Sequence, residues 1–245
     1  MNFPIFKYDE LISTNTELSR LISPDLEEFS VVITDFQTSG RGQMGASWVS
    51  ERGANLLFSK LFYPHFIAIK DFFLLSQFSS LAILDFLNHY FPSSDFSIKW
   101  PNDIYYADKK IAGILIENSI QGSFISSSII GIGLNVNQLH FHSDAPNPIS
   151  LSAITGVHYT LSSLFTDLNH FLHLRYQQLL SSDFTTIRSD YQKHLYRYNQ
   201  LYLYEDNSGQ FQAVLDSVAN DGKLNLRLTS GEIRSYYFKE VRFLI

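Results

Sequence analysis

Near residue 200 the spacing of apolar residues changes, and this limits the fold more than any other feature. Before it, strand-like apolar runs alternate with segments of helical period. Beyond it, residues 201–245 hold short alternating runs broken by Asn207-Ser208-Gly209, Asn220-Asp221-Gly222 and Ser230-Gly231. Three turn signals in so short a stretch specify closely spaced strands. The chain therefore reads as an α/β unit over 1–195 and a small all-β unit over 196–245.

Within the first unit, Thr14 followed by Glu17 has capping-box spacing and predicts a short helix beginning just after Ser13-Thr14-Asn15. Residues 30–36 and 55–62 read as buried strands, with a polar, Gly-rich loop over 37–48 between them. Leu74, Phe78, Leu81 and Leu84 recur at helical steps and place a helix over 70–90. A strand over 96–100 precedes a hairpin (103–106 and 110–117, turning at 107–109). A long strand over 123–136 follows a turn at 119–122. A second amphipathic helix over 161–180 and further helix to about residue 195 complete the unit.

Composition removes several classes of function. Apolar residues make up 45% and charged residues 17%, which excludes a disordered chain. Cysteine is absent, so neither a disulfide framework nor thiolate-bound metal is available. The net charge of −6 disfavours a general nucleic-acid binder. It lies wholly in residues 1–195, because 196–245 hold six basic and six acidic side chains. No apolar run is long enough to span a bilayer and no secretory leader is evident, so a cytoplasmic setting is expected.

Three clusters can carry chemistry. Gly40-Arg41-Gly42-Gln43-Met44-Gly45 spells G-x-G-x-x-G, but a dinucleotide site needs a helix to open at once and an acid about 20 residues on. Here residues 46–50 lack helical pattern and Lys60 stands where the acid belongs. What remains is a mobile surface turn or a loop whose glycines and Arg41 approach an anion, and Arg41 favours the second. The second cluster is Lys99-Trp100-Pro101-Asn102-Asp103, followed by Lys109-Lys110-Ile111-Ala112-Gly113. Lys110 either points at a ligand or is a solvated turn residue, and pattern alone favours solvation. Gly113 inside a strand signals close approach. The third is Gly131-Ile132-Gly133-Leu134-Asn135, where glycines permit close strand packing or leave room for a planar ligand. His140-Phe141-His142 offers metal ligands, although incidental histidines in a polar loop explain it better. No nucleophilic-serine or phosphate-loop signature is present.

In order and content, Ser13-Thr14-Asn15, the Gln37 to Gly42 run, Trp48, Lys99 to Asp103, Lys110 to Leu115 and Gly131 to Asn135 resemble the biotin protein ligase family, over nearly the whole chain. The resemblance implies a mixed-sheet α/β catalytic domain with a small C-terminal SH3-like β-barrel. It implies activation of biotin by ATP, with Mg²⁺, as biotinyl-5′-adenylate. Transfer then follows to a lysine on the biotin carboxyl carrier domain of acetyl-CoA carboxylase or a related carboxylase. By resemblance, Arg41 and Lys110 are catalytic. Ser13, Thr14, Asn15, Gln37, Arg41, Gly42, Gln43, Lys110, Gly113 and Gly133 contact biotin. Gly40, Arg41, Gly45, Trp48, Lys99, Asn102, Asp103, Lys110 and Asn135 contact ATP or the adenylate.

Some family members carry further arginines where this chain has Gln43 and Met44, which lowers the charge of the loop. Others carry an N-terminal winged-helix domain, for which Ser13 leaves no room, so no DNA partner is expected; no membrane partner is expected either, and a homodimer is possible. Two other readings stay open: a lipoate–protein ligase, and a non-catalytic biotin- or adenylate-binding module.

Overall fold

The computed structural model describes residues 3–93, 95–141 and 147–244. The chain opens with β1 (Ile5–Tyr8), α1 (Thr14–Leu21) and β2 (Val31–Thr34). A two-stranded ribbon follows, β3 (Gly40–Arg41) with β4 (Ser47–Trp48), and then β5 (Leu56–Phe62) and α2 (Leu74–Tyr90). The meander β6 (Phe96–Lys99), β7 (Asp103–Tyr106), β8 (Lys109–Gln121) and β9 (Phe124–Leu134) comes next. Helices α3 (Leu151–Thr155), α4 (Leu161–Leu180) and α5 (Phe184–Lys193) lead to β10 (Leu201–Asp206), β11 (Gly209–Val218), β12 (Leu224–Leu228), β13 (Ile233–Tyr236) and β14 (Arg242–Phe243).

Seven strands form one mixed sheet in the order β1-β2-β5-β9-β8-β7-β6. Only the β1–β2 pair is parallel, and every other neighbour is antiparallel. All seven residues of β5 are buried, as a central strand covered on both faces requires. One face packs on α2, whose side chains from Leu74 to Leu87 are buried nearly all round because α4 and α5 cover its other side. The opposite face carries α1, where Leu18 joins Val32, Leu61 and Ile129 in a separate small core.

The C-terminal strands form an antiparallel sheet in the order β13-β12-β11-β10-β14, and its hydrogen-bonded order is open rather than closed. Tyr204, Ala213, Leu215, Leu224 and Leu226 are fully buried and belong to the same apolar cluster as α2 and the large sheet. The two sheets thus share one core.

Several boundaries depart from the sequence reading. The expected capping box does not form. The helix starts at Thr14 with Ser13 as its N-cap, and no side chain caps it. Thr14 turns to Gln37 instead, and Glu17 is taken by Tyr8 and Arg20. The segment 37–48, read as a loop, holds the β3–β4 ribbon. Strand β8 runs on through the expected 119–122 turn, which tightens to the Gly122 position. β1 and α3 are additional.

Candidate active site

The strand register builds the floor of a cleft. Asp103 pairs with Gly113, Gly113 with Gly133, and Gly133 with Leu57. The next row pairs Leu115 with Gly131 and Gly131 with Ser59. Directly opposed residues share a face, so three glycines leave a shallow trough across β8 and β9. Something lies close over each. A Cβ on Gly131 would collide with Asn15 Oδ1, and one on Gly133 would lie 2.5 Å from Trp48 Cε2. A Cβ on Gly113 would meet Trp48 at 3.0 Å and Lys110 Nζ at 3.1 Å.

Lys110 and Gly113 are three apart, which in a regular strand puts them on opposite faces. A bulge resolves this: Ile104 pairs with Ala112 but Tyr105 pairs with Lys110, leaving Ile111 as the extra residue. The shift brings Lys110 onto the glycine face, where its Nζ lies 2.7 Å from Asp103 Oδ1 and 5.5 Å from the centroid of the Trp48 ring. Lys109 is exposed. The solvated reading of Lys110 is thereby corrected: it lines the cleft.

The opening of α1 forms one end wall. Thr14 donates to Gln37 Oε1 through its amide at 2.8 Å and its hydroxyl at 3.2 Å. Ser59 donates to Asn15 Oδ1 at 2.5 Å, and Asn15 Nδ2 donates to Glu117 Oε2 at 2.8 Å. The same Glu117 oxygen accepts from Arg41 Nη2 at 2.8 Å. Glu117 is thus a site residue that sequence reasoning missed. It follows the apolar run of β8, and its contact with Asn15, 102 residues away in sequence, is what makes it part of the wall.

The roof is the β3–β4 ribbon. Gly42 N donates to Ala46 O at 2.6 Å, and Gly45 has a φ of +82°, which suits glycine at this turn. Trp48 reaches inward from β4. Its indole Nε1 is buried without a hydrogen-bond partner among the described residues. A buried donor left unmet is costly, so it marks a place where a ligand acceptor or water belongs.

Of the expected site residues, Ser13, Thr14, Asn15, Gln37, Arg41, Gly42, Gln43, Trp48, Asn102, Asp103, Lys110, Gly113 and Gly133 line this one cavity of about 190 Å³. Gly40 and Gly45 shape the ribbon behind it. Lys99 lies apart, its ammonium donating to Tyr105 OH at 2.9 Å and held below its ordinary pKa by burial. Asn135 also stands outside, donating to Ile149 O at 3.1 Å and so fixing the segment that pairs with Lys110. The connection between β13 and β14 contributes Phe238 to the lining, and Lys239 Nζ donates to Met44 O at 2.7 Å on the roof. His142 lies outside the described residues. Among those described, no group of His, Asp and Glu forms a metal site. No helix there is long and apolar enough to cross a membrane.

A glycine-floored trough, walled by a Ser-Thr-Asn helix start and roofed by a Gly-Arg-Gly ribbon, is joined by similarity over more than half of the chain. Residues 9–135 match the Biotin/lipoate A/B protein ligase family, and the chain belongs to that family. Among curated relatives, it is 30% identical over 186 residues to the bifunctional ligase/repressor BirA of Bacillus subtilis. That match covers 74% of this chain and 56% of the relative, so the chain spans about half the length of that protein. It is 29% identical over 225 residues to the biotin–[acetyl-CoA-carboxylase] ligase of Paracoccus denitrificans, covering 89% of this chain and 92% of that one. In fold it is similar to the biotin protein ligase of Aquifex aeolicus solved with biotin and ATP, with a TM-score of 0.82 at 22% identity over 98% and 99% of the two chains.

Proposed function

We propose that this chain is an ATP-dependent biotin–protein ligase. Biotin carboxylate attacks the α-phosphorus of ATP, forming biotinyl-5′-adenylate and releasing pyrophosphate. A lysine amine of a biotin carboxyl carrier domain then attacks the acyl carbon, forming an amide and releasing AMP and a proton. The observation that carries this reading is the cleft itself. Its floor of Gly113, Gly131 and Gly133 carries no side chains of its own, so a compact fused ring would reach the strands once the Trp48 indole that lies over Gly113 and Gly133 moves aside, with the polar groups of Asn15, Thr14 and Ser59 at one end and Lys110 at the other. The near full-length similarity to the Paracoccus ligase favours biotin over lipoate.

Neither step needs an enzyme nucleophile. Both bring anions together, and the chemistry calls for fixed positive charge and donors in a site shielded from water. Lys110 suits the carboxylate and phosphate because its ammonium is compact and half-sheltered beneath Trp48. Arg41 suits the phosphate because its guanidinium sits on a ribbon able to fold over the ligand. Mg²⁺ would travel with ATP, held largely by phosphate oxygens and water. Asp103 is the one carboxylate among the described lining residues that stands where it could add a ligand. The C-terminal sheet, read as an SH3-like barrel beginning near residue 196, would help close the adenylate site through Phe238 and Lys239. The carrier and any second copy of the chain are further parts of this proposal.

Incubation with ATP, Mg²⁺ and an apo carrier domain, with biotin or lipoate in parallel, tests the reading. Mass addition to the carrier with biotin alone supports it. Addition with lipoate alone makes the chain a lipoate ligase. Tight biotin binding with neither pyrophosphate release nor transfer makes it a binding module.

A further inference from the structure

Strand alternation sends Ser59 into the cleft and its neighbour Lys60 to the other face of the sheet. Lys60 is 1% exposed, in the middle of a strand buried throughout. Its ammonium donates to Asn169 Oδ1, the one hydrogen-bond partner found among the described residues. Three phenyl rings surround it, Phe3 at 4.6 Å, Phe29 at 5.1 Å and Phe62 at 5.8 Å from Nζ to centroid. Phe29 holds a left-handed φ of 71°, which is uncommon for a bulky residue and sets its ring beside the ammonium. An ammonium has three protons to place, and rings accept them weakly.

Lys60 forms the base of a separate cavity of about 300 Å³ between β5, the N-terminal segment and α4. Asn169, His170 and His173 line its α4 side, Phe3 and Phe165 supply apolar wall, and no carboxylate is among its described lining residues. The acid nearest in charge, Glu28, is already engaged: its Oε1 accepts from Tyr63 N and Tyr176 OH, both at 2.8 Å. Among the described residues the site thus offers a sheltered cation with unmet donors, an apolar body and no counter-charge of its own.

We propose that this cavity binds a small monocarboxylate with an apolar body, its carboxylate on the Lys60 ammonium and its body among the phenyl rings. The inference does not rest on the proposed ligase activity, because the cavity lies on the other face of the sheet from the glycine trough. Burial lowers the Lys60 pKa to about 7, against an opposing pull from Glu28. Burial also lowers His173, followed by the charges of Lys60 and His170. A bound carboxylate would restore the lysine proton, so binding at pH 8 should take up a proton.

Titration calorimetry of the intact chain with benzoate and hexanoate tests this, with benzamide as the neutral control and two buffers of different ionisation heat at pH 8. Both acids are expected to bind with proton uptake, and benzamide about tenfold or more weaker. Lys60→Met should weaken the acids by about the same factor, and Lys110→Ala should leave them unchanged. Several results would overturn the proposal: no heat with either acid, equal binding of benzamide, no proton uptake, indifference to Lys60→Met, or loss in Lys110→Ala. The first would mean that water alone completes the ammonium, and the last that the acids occupy the glycine trough. Proton uptake is read on the unaltered protein, so it decides the matter even if Lys60→Met does not fold.

Discussion

Replacing Lys60 with Met keeps an unbranched apolar stem, with sulfur in place of one methylene, and removes the amine. The ordinary lysine value of 10.5 falls to about 7 in the folded chain. Below pH 7 the amine is charged in both states, and the folded protein bears the full penalty of burying it. Between pH 7 and 10.5 the unfolded chain binds a proton that the folded chain does not, so stability rises with pH at up to ~1.4 kcal/mol per pH unit. From pH 7 to 9.5 that amounts to about 3 kcal/mol, a large share of a domain's net stability. Buried tyrosines such as Tyr196, raised chiefly by burial, act in the opposite sense only above pH 10. Lys60→Met lacks the lysine term, so it should be the more stable protein near pH 6.5, with the difference shrinking as pH rises. Urea midpoints of both proteins at half-unit steps from pH 6.5 to 9.5 would measure it. Two parallel stability curves would refute the reasoning, since they would mean that Lys60 stays charged in the folded protein.

Three further outcomes follow from the trough and its roof. Gly133→Ala places a methyl 2.5 Å from the Trp48 indole. Because β4 is only two residues long, the indole should move with little loss of stability, seen as a fluorescence change together with weaker biotin binding. Lys110→Ala should slow pyrophosphate release by about 10²–10³, the usual effect of removing a charge-stabilising group, while Lys109→Ala leaves it near wild type. Glu117→Gln removes the counter-charge of Arg41, whose side chain is 45% exposed, so stability should change by no more than about 0.5 kcal/mol. Cleavage of the ribbon at Arg41 by trypsin without ligand should then become faster.

The parts of the fold that sequence pattern reached are those with strong period or turn chemistry: α2, α4, the meander β6 to β9 and the turns of the C-terminal sheet. The misreadings share a cause. Ser13-Thr14-Asn15 looks like a helix cap, and its side chains are indeed at a helix start. Yet Gln37 and Ser59, far along the chain, offer Thr14 and Asn15 better partners than the helix does. β1 was invisible because its burial alternates weakly at a sheet edge. Lys110 was ambiguous because only the Ile111 bulge, a feature of strand pairing, decides its face. Lys60 carried no signal beyond standing where an acid was sought. Its burial depends on rings from β5 and from two other segments and on Asn169 of α4, and no local pattern encodes that meeting.

The two cations of the cleft are both paired with carboxylates of the chain itself, Arg41 with Glu117 and Lys110 with Asp103. Without ligand the trough is therefore close to neutral, and neither cation is left buried without a counter-charge. On the proposed reading, an incoming carboxylate and phosphate compete for partners that are already satisfied. Their binding energy must cover the separation of at least one pair. The two pairs differ in what separation costs. Arg41 is half-exposed on a short ribbon and can leave Glu117 for a ligand with little loss, because exposed pairs are worth at most about 1 kcal/mol. Lys110 is fixed on the glycine face by the bulge, and its partner Asp103 stands on the neighbouring strand β7, so the pair has little room to part. A ligand must come to it, which makes Lys110 the fixed point of the site and the Arg41 ribbon the part that closes.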